Sequence, residues 1–206
     1  MSSKKEVGDR STANRDLIGR RSFLVGVGVA AASATLLLAL GRESTSAEAA
    51  PARAPKMVTI IGFKDDGTRT TKETVARVVK TDEEWRKQLS PAAFEVARRA
   101  ATERAFSGAL LNVHDKGVFR CICCDNALFD SSTKFESGTG WPSFYQPIAK
   151  QNIIESVDMS LGMTRTEVSC RLCEAHLGHV FEDGPKPTGL RYCMNSVAMR
   201  FAKANA

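Results

Sequence analysis

Hydrophobic and polar residues alternate differently in three parts of this chain. Near the N-terminus, residues 25–40 form an uninterrupted run of sixteen positions without a charge. That run is short for a membrane-spanning helix, which needs about 20 apolar residues, and Gly26, Gly28, Ser33 and several alanines dilute it. The second part mixes strand and helix signals. Residues 50–56 are an Ala/Pro/Arg/Lys-rich arm, and the β-branched run Met57–Phe63 predicts a strand, followed by a polar turn at Asp65-Asp66-Gly67. Thr81 with Glu84 three residues later has the form of a capping box and predicts a short helix. Ser90-Pro91 restarts a second helix with proline at its first position. Phe94, Ala97, Ala101 and Ala105 line one stripe of it, and Gly108 ends the pattern.

Beyond residue 108 short apolar or aromatic runs are punctuated by Gly, Asn, Asp and Pro. Residues 118–120, 127–129, 164–168 and 192–201 read as strands separated by turns. The pattern predicts a predominantly β domain with short helices on its N-terminal side. With 206 residues, 43% hydrophobic and 25% charged, the composition is that of one globular domain. It excludes a collagen, a coiled coil and a wholly disordered chain.

The leading stretch has the form of an address. Arg20-Arg21 followed by Phe23-Leu24 and the diluted apolar run resembles a twin-arginine export signal, and Ala47-Glu48-Ala49 fits an A-x-A cleavage site. Residues 1–49 are therefore expected to be a signal peptide, the other reading being an uncleaved anchor. Removing them takes seven Lys/Arg and five Asp/Glu and turns the net charge of +6 into +4. The remaining basic residues are scattered, and two Trp and two Tyr offer little for base stacking, so the charge does not point to nucleic acid. Contact with a membrane is expected only during export.

Six cysteines carry the chemistry. Cys121-x2-Cys124 and Cys170-x2-Cys173 are two knuckles separated by 45 residues. Each knuckle points two sulfurs at one ion, and together they form the four-thiolate set of a closed structural Zn2+ site; two disulfides or an iron–sulfur site are the alternatives. Cys123, inside the first knuckle, and Cys193 remain. Near His176, His179 and Arg191 in sequence, Cys193 is either a nucleophile whose thiol is acidified by cations or a buried inert thiol.

Longer segments resolve that choice by resemblance. Residues 102–108 (TERAFSG), 135–144 (FESGTGWPSF), 176–185 (HLGHVFEDGP) and 187–196 (PTGLRYCMNS) are similar to the methionine sulfoxide reductases of the B type, and both knuckles fall where zinc-bearing members have theirs. The resemblance covers about residues 80–202. It implies two antiparallel sheets with short N-terminal helices, stapled as a single domain by zinc on the side opposite the active site. With the leader read above, the chain divides into a signal at 1–49, an arm and first strands at 50–80, and the catalytic domain of the resemblance at 81–206. The resemblance also implies reduction of the R epimer of peptide- or protein-bound methionine sulfoxide, with Cys193 attacking the sulfoxide sulfur and becoming a sulfenic acid. His176 and His179 would protonate the oxygen, Arg191 would favour the thiolate, and Asn195 would orient the imidazoles or the substrate. Trp141, with Phe181, would hold the methyl end of the substrate.

One position departs from the resemblance. Many relatives carry a resolving cysteine where this chain has Thr139, and a hydroxyl cannot close a disulfide. Cys123 is the only non-ligand thiol left to resolve the Cys193 sulfenic acid within the chain. The expected route is instead reduction by an external thiol, thioredoxin-like or small, in an enzyme that repairs oxidised proteins in the periplasm.

Overall fold

The structure is a computed structural model that describes residues 55–205; the leader read at 1–49 lies outside the described residues. Among the described residues, eleven strands run in chain order: β1 (Met57–Phe63), β2 (Arg69–Ala76), β3 (Gly117–Cys121), β4 (Ala127–Asp130), β5 (Lys134–Phe135), β6 (Ser143–Phe144), β7 (Ile153–Asp158), β8 (Arg165–Cys170), β9 (His176–Phe181), β10 (Arg191–Met194) and β11 (Met199–Lys203). Two helices, α1 (Asp82–Gln88) and α2 (Pro91–Arg99), sit between β2 and β3. No described helix is long and apolar enough to cross a membrane.

Both helix starts follow from local chemistry. Thr81 Oγ1 accepts the Glu84 N–H at 3.3 Å while the Glu84 carboxylate accepts the Thr81 N–H at 2.7 Å, so two otherwise unpaired donors are satisfied. Ser90 Oγ caps α2 through the Ala93 N–H at 3.2 Å. The apolar stripe expected to run on to Ala105 stops earlier, because Ala100 turns into the left-handed region at φ 55°. The chain from 101 to 116 is released as a loop.

Three antiparallel sheets form rather than two. A six-stranded sheet runs β5-β6-β10-β9-β8-β7, a three-stranded sheet runs β11-β3-β4, and β1-β2 make a separate hairpin. β2 (RTTKETVA) is almost wholly exposed, so it has no apolar alternation by which to be read. The run 192–201 also divides. It supplies β10 to the large sheet, makes a 3-10 turn at Ser196–Ala198, and then enters the other sheet as β11. The Glu103 carboxylate causes the break by accepting the Ser196 and Val197 N–H groups at 2.7 and 3.1 Å, which removes them from any ladder.

The core lies where the two larger sheets face each other. Phe129 stacks on Phe144 at 4.4 Å between ring centroids, and Phe119 meets Phe144 edge-on at 4.9 Å. Tyr192 and Phe201 close the cluster, each ring adding apolar burial and edge-to-face attraction. Beside it, the fully buried Asn152 joins all three sheets. Its side chain accepts the Ile61 N–H at 2.7 Å and donates to the carbonyls of Ile61 and Ala127, both at 2.8 Å. Asn152→Ala leaves these backbone groups buried without partners, so denaturant unfolding is expected to report a loss of about 3 kcal/mol.

Candidate active site and metal centre

The β9–β10 register places the chemistry. Cys193 stands opposite His179 on β9 and opposite Ser143 on β6, and directly paired residues present their side chains on the same face. Close approach here needs Gly178, since a Cβ there would lie 2.1 Å from the Cys193 carbonyl oxygen. Cys193 is half-buried in a cleft of about 140 Å³ lined by Thr102, Trp141, Arg165, Gly178, His179, Phe181, Cys193 and Asn195. That volume suits the end of one side chain rather than a cofactor, which needs a pocket of roughly 300 Å³ or more. A larger hollow of about 310 Å³ near Leu89 and Ile122 is lined by neither cysteine nor histidine.

The loop released by the end of α2 forms one wall. Glu103 is its anchor: besides capping Ser196 and Val197, its carbonyl accepts Trp141 Nε1–H at 3.2 Å and its N–H donates to Asn195 Oδ1 at 3.0 Å. The indole is thereby fixed over the cleft. Asn195 donates its amide to the Leu177 carbonyl at 3.1 Å. Its side chain thus ties the loop to β9, and neither imidazole is its partner, contrary to one expected role.

The two histidines separate. His179 lines the Cys193 cleft, whereas His176 does not and lies behind it, with ring centroids 5.4 Å apart. Each ring is held by a carboxylate: His176 Nδ1 meets Glu167 at 2.6 Å and His179 Nε2 meets Asp158 at 2.8 Å. Burial pushes His179 below its ordinary value, and the Asp158 bond opposes that shift. Arg191 forms a bidentate pair with Asp183 at 2.9 and 2.8 Å, its guanidinium 4.4 Å over the Phe181 ring. The charge that reaches Cys193 is therefore shared with a carboxylate. Burial raises the Cys193 thiol above its usual value, while Thr139, Arg191 and Ser143 draw it back.

Thr139 lies beside the nucleophile candidate, Oγ1 to Sγ 3.9 Å, in a hydroxyl chain with Ser137 and Ser143. Cys123 is elsewhere: buried in the core, it lines no part of the Cys193 cleft, and its carbonyl accepts the Gln88 amide at 2.6 Å. The knuckles do come together. The sulfurs of Cys121, Cys124, Cys170 and Cys173 all lie within 4.8 Å of one another, with Cys121–Cys173 at 3.6 Å and Cys124–Cys170 at 3.5 Å. A tetrahedral ion with bonds of about 2.3 Å separates its sulfurs by about 3.8 Å, so the set fits a metal ion. No described cysteine is in a disulfide. Gln88 and Arg98 reach from the helices to the carbonyls of Cys123 and Cys173 and brace both knuckles.

A family model, the SelR domain, matches residues 89–203, more than half of the chain. The peptide methionine sulfoxide reductase MsrB of Pseudomonas syringae pv. syringae (strain B728a) is 58% identical over 123 residues, 60% of this chain and 94% of that protein. MsrB of Herminiimonas arsenicoxydans is 52% identical over 125 residues, 61% and 91% of the two chains. The chloroplastic peptide methionine sulfoxide reductase B1 of Oryza sativa subsp. japonica is 56% identical over 124 residues, 60% of this chain and 58% of that one. The chain belongs to the peptide methionine sulfoxide reductase B family. As a member it is an oxidoreductase that reduces methionine sulfoxide, and the cleft joining thiol, imidazole and indole is its candidate active site.

Sequence reasoning missed Glu103, Asp158, Glu167 and Arg165 as site residues. Their roles come from partners many residues away, and no local spacing signals them. The shared charge on Arg191 gives two substitutions of opposite sign. Arg191→Gln is expected to raise the apparent pKa of Cys193 by roughly one unit and Asp183→Asn to lower it, both read from the pH dependence of Cys193 alkylation.

Proposed function

We propose that this enzyme reduces the R epimer of peptide- or protein-bound methionine sulfoxide through a sulfenic acid on Cys193. The observation that carries the reading is the placement of Cys193 and His179 on one face of β9–β10, in the cleft walled by Trp141. A sulfoxide sulfur carries a methyl, a chain carbon, an oxygen and a lone pair. Trp141 and Phe181 supply an apolar wall for the methyl, His179 a polar group for the oxygen, and Cys193 a fixed line of attack. Three different contacts favour a single epimer, and the likeness in residues 176–196 to B-type reductases supports R as that epimer.

The Cys193 thiolate attacks the sulfur and forms a transient S–S bond while the oxygen is protonated; the hydroxyl then passes to the Cys193 sulfur as the original S–O bond and the transient S–S bond break, leaving the thioether. Thiolate, sulfoxide and a proton become sulfenic acid and thioether, so charge and atoms balance. His179, within the cleft, donates the proton. Asn195 and Glu103 keep Trp141 and the turn after β10 in place. Two external thiols then return Cys193 to the thiol and leave as a disulfide and water. A thioredoxin-like protein or a small dithiol fills that role, because Thr139 has no sulfur and the buried Cys123 lies outside the cleft.

The metal is read as one structural Zn2+, held by Cys121, Cys124, Cys170 and Cys173; when bound it cross-links two turns and supplies no reaction chemistry. Residues 1–49 are read as a twin-arginine signal, which places the enzyme in the periplasm as a repairer of oxidised exported proteins. Loading zinc before a folded export would shield four thiols from an oxidising compartment.

Cys193→Ser is expected to abolish reduction of peptide methionine-R-sulfoxide while wild type leaves the S epimer untouched; activity retained by the variant would sink the mechanism. Thr139→Cys places a thiol beside the nucleophile. Mass spectrometry after one turnover without reductant should find that introduced thiol joined to Cys193 in a disulfide, and a lone sulfenic acid in wild type. Cell fractionation should recover a periplasmic chain starting near Ala50, whereas unprocessed cytosolic protein in export-competent cells would count against the location.

A further inference from the structure

The hairpin of β7 and β8 has a role at the site that the reaction outlined above leaves unassigned. Asp158 and Arg165 are the pair that closes it. Asp158 Oδ2 accepts from Arg165 at 2.6 Å and from His179 Nε2 at 2.8 Å, while Oδ1 accepts the Ser160 N–H at 2.8 Å. Both carboxylate oxygens are engaged, so the group is fixed in place. The Ser160 bonds, followed by His179 and Arg165, hold it well below the usual carboxylate range. It is a permanent negative charge at the pH of any assay.

We propose that Asp158 is a positioning residue that makes His179 the proton donor, by fixing the proton on Nε2 and leaving Nδ1 to serve the substrate oxygen. The inference rests on the reading of His179 as that donor. An ionised carboxylate only accepts hydrogen bonds, so Nε2 must carry hydrogen in both charge states of the ring. Neutral His179 then has a bare Nδ1 and cannot donate. Imidazolium donates from Nδ1 and returns to the neutral Nε2–H form. One proton leaves the ring for each sulfoxide reduced and is regained from solvent, with no electron change at His179.

The surroundings make Asp158 necessary. Burial, Arg165 and His176 all disfavour the charged ring, and Asp158 opposes them. Glu167 faces His179 across β8–β9, but its carboxylate is bonded to His176. Cys193 faces it from β10, and Arg99 lies across the cavity behind. Asp158 is the only one of these groups bonded to His179. That cavity, about 380 Å³, lies on the side of Glu167 and His176, and it shares His179, Arg165 and Thr102 with the Cys193 cleft. His179 therefore stands in a wall between the nucleophile and a polar chamber, and can be reprotonated there while substrate fills the cleft.

The test is single-turnover methionine formation by the reduced full-length enzyme on peptide methionine-R-sulfoxide, between about pH 5.5 and pH 9. Asp158→Asn should move the alkaline limb down by at least one unit, a loss of roughly tenfold near pH 8, with recovery to within about threefold at the acid end. Asp158→Glu should restore part of the limb, and substrate affinity should not move. A profile parallel to wild type, whether unchanged or uniformly lowered, overturns the proposal. Nitrogen-15 NMR of wild-type His179 provides a readout that no folding defect can confuse: the Nε2–H tautomer at high pH is expected, and an Nδ1–H tautomer overturns the proposal. Full single-turnover activity in His179→Gln would instead bring down the underlying reading, whatever Asp158→Asn does.

Discussion

Four thiol groups confined within 4.8 Å of one another are the constraint from which the rest of the domain is hung. The first pair terminates β3 in the three-stranded sheet, and the second terminates β8 in the six-stranded sheet. Joining them closes the 45-residue span that carries β4 to β8, a loop closure whose entropy the folded chain must offset. Hydrogen bonds extend the joint. Asn126 donates to the Asn152 carbonyl at 2.9 Å and approaches Cys170 Sγ at 3.5 Å, and Asn152 reaches on to β1 and β4. Arg98 and Gln88 attach the helices to the same turns. Since β9 starts three residues after Cys173, fixing the knuckle fixes the height at which His179 meets Cys193.

From that frame the site is assembled by segments that share no local signal. The loop after α2 exists because Ala100 ends the helix, and it is held down by a single carboxylate, that of Glu103, at the turn after β10. The same residue carries the indole of Trp141 and the amide of Asn195. The Trp141 wall of the cleft, the strand that carries Cys193 and the crossing into the second sheet are thus one connected hydrogen-bond unit. A small displacement of it would be felt at all three, because packed cores shift between discrete arrangements rather than deform smoothly.

Reactivity here runs against desolvation. Burial favours the neutral forms of both Cys193 and His179, yet the proposed chemistry starts from a thiolate and an imidazolium. The fold answers with fixed partners rather than exposure to water: Arg191 and the Thr139 hydroxyl at the sulfur, Asp158 at the ring. Arg191 is itself restrained by Asp183 and by the face of Phe181, which sets its position more firmly than its net charge. Such compensation is strong where water is scarce, and it ties the state of Cys193 and His179 to Arg191, Thr139 and Asp158.

The cysteine spacing, the segments 135–144 and 176–196, and the capping residues Thr81 and Ser90 determined by themselves the family, the four cysteines that could hold a metal ion and the helix starts. Each is a short-range pattern in which residue identity and spacing suffice. The sequence also announced β1, β3 and β4, whose apolar content shows burial directly, and β8, whose β-branched Thr166 and Val168 alternate with polar residues. Only the tertiary structure decided what depends on distant partners. It showed the exposed β2, and it divided residues 192–201 between two sheets through the Glu103 carboxylate. It parted His176 from the cleft and turned Asn195 into a tie between the loop and β9. It left Cys123 in the core and brought Asp158 to His179 across 21 residues. Hydrogen bonds and burial across such separations depend on where whole strands pack, and a linear chain does not carry that in any local pattern.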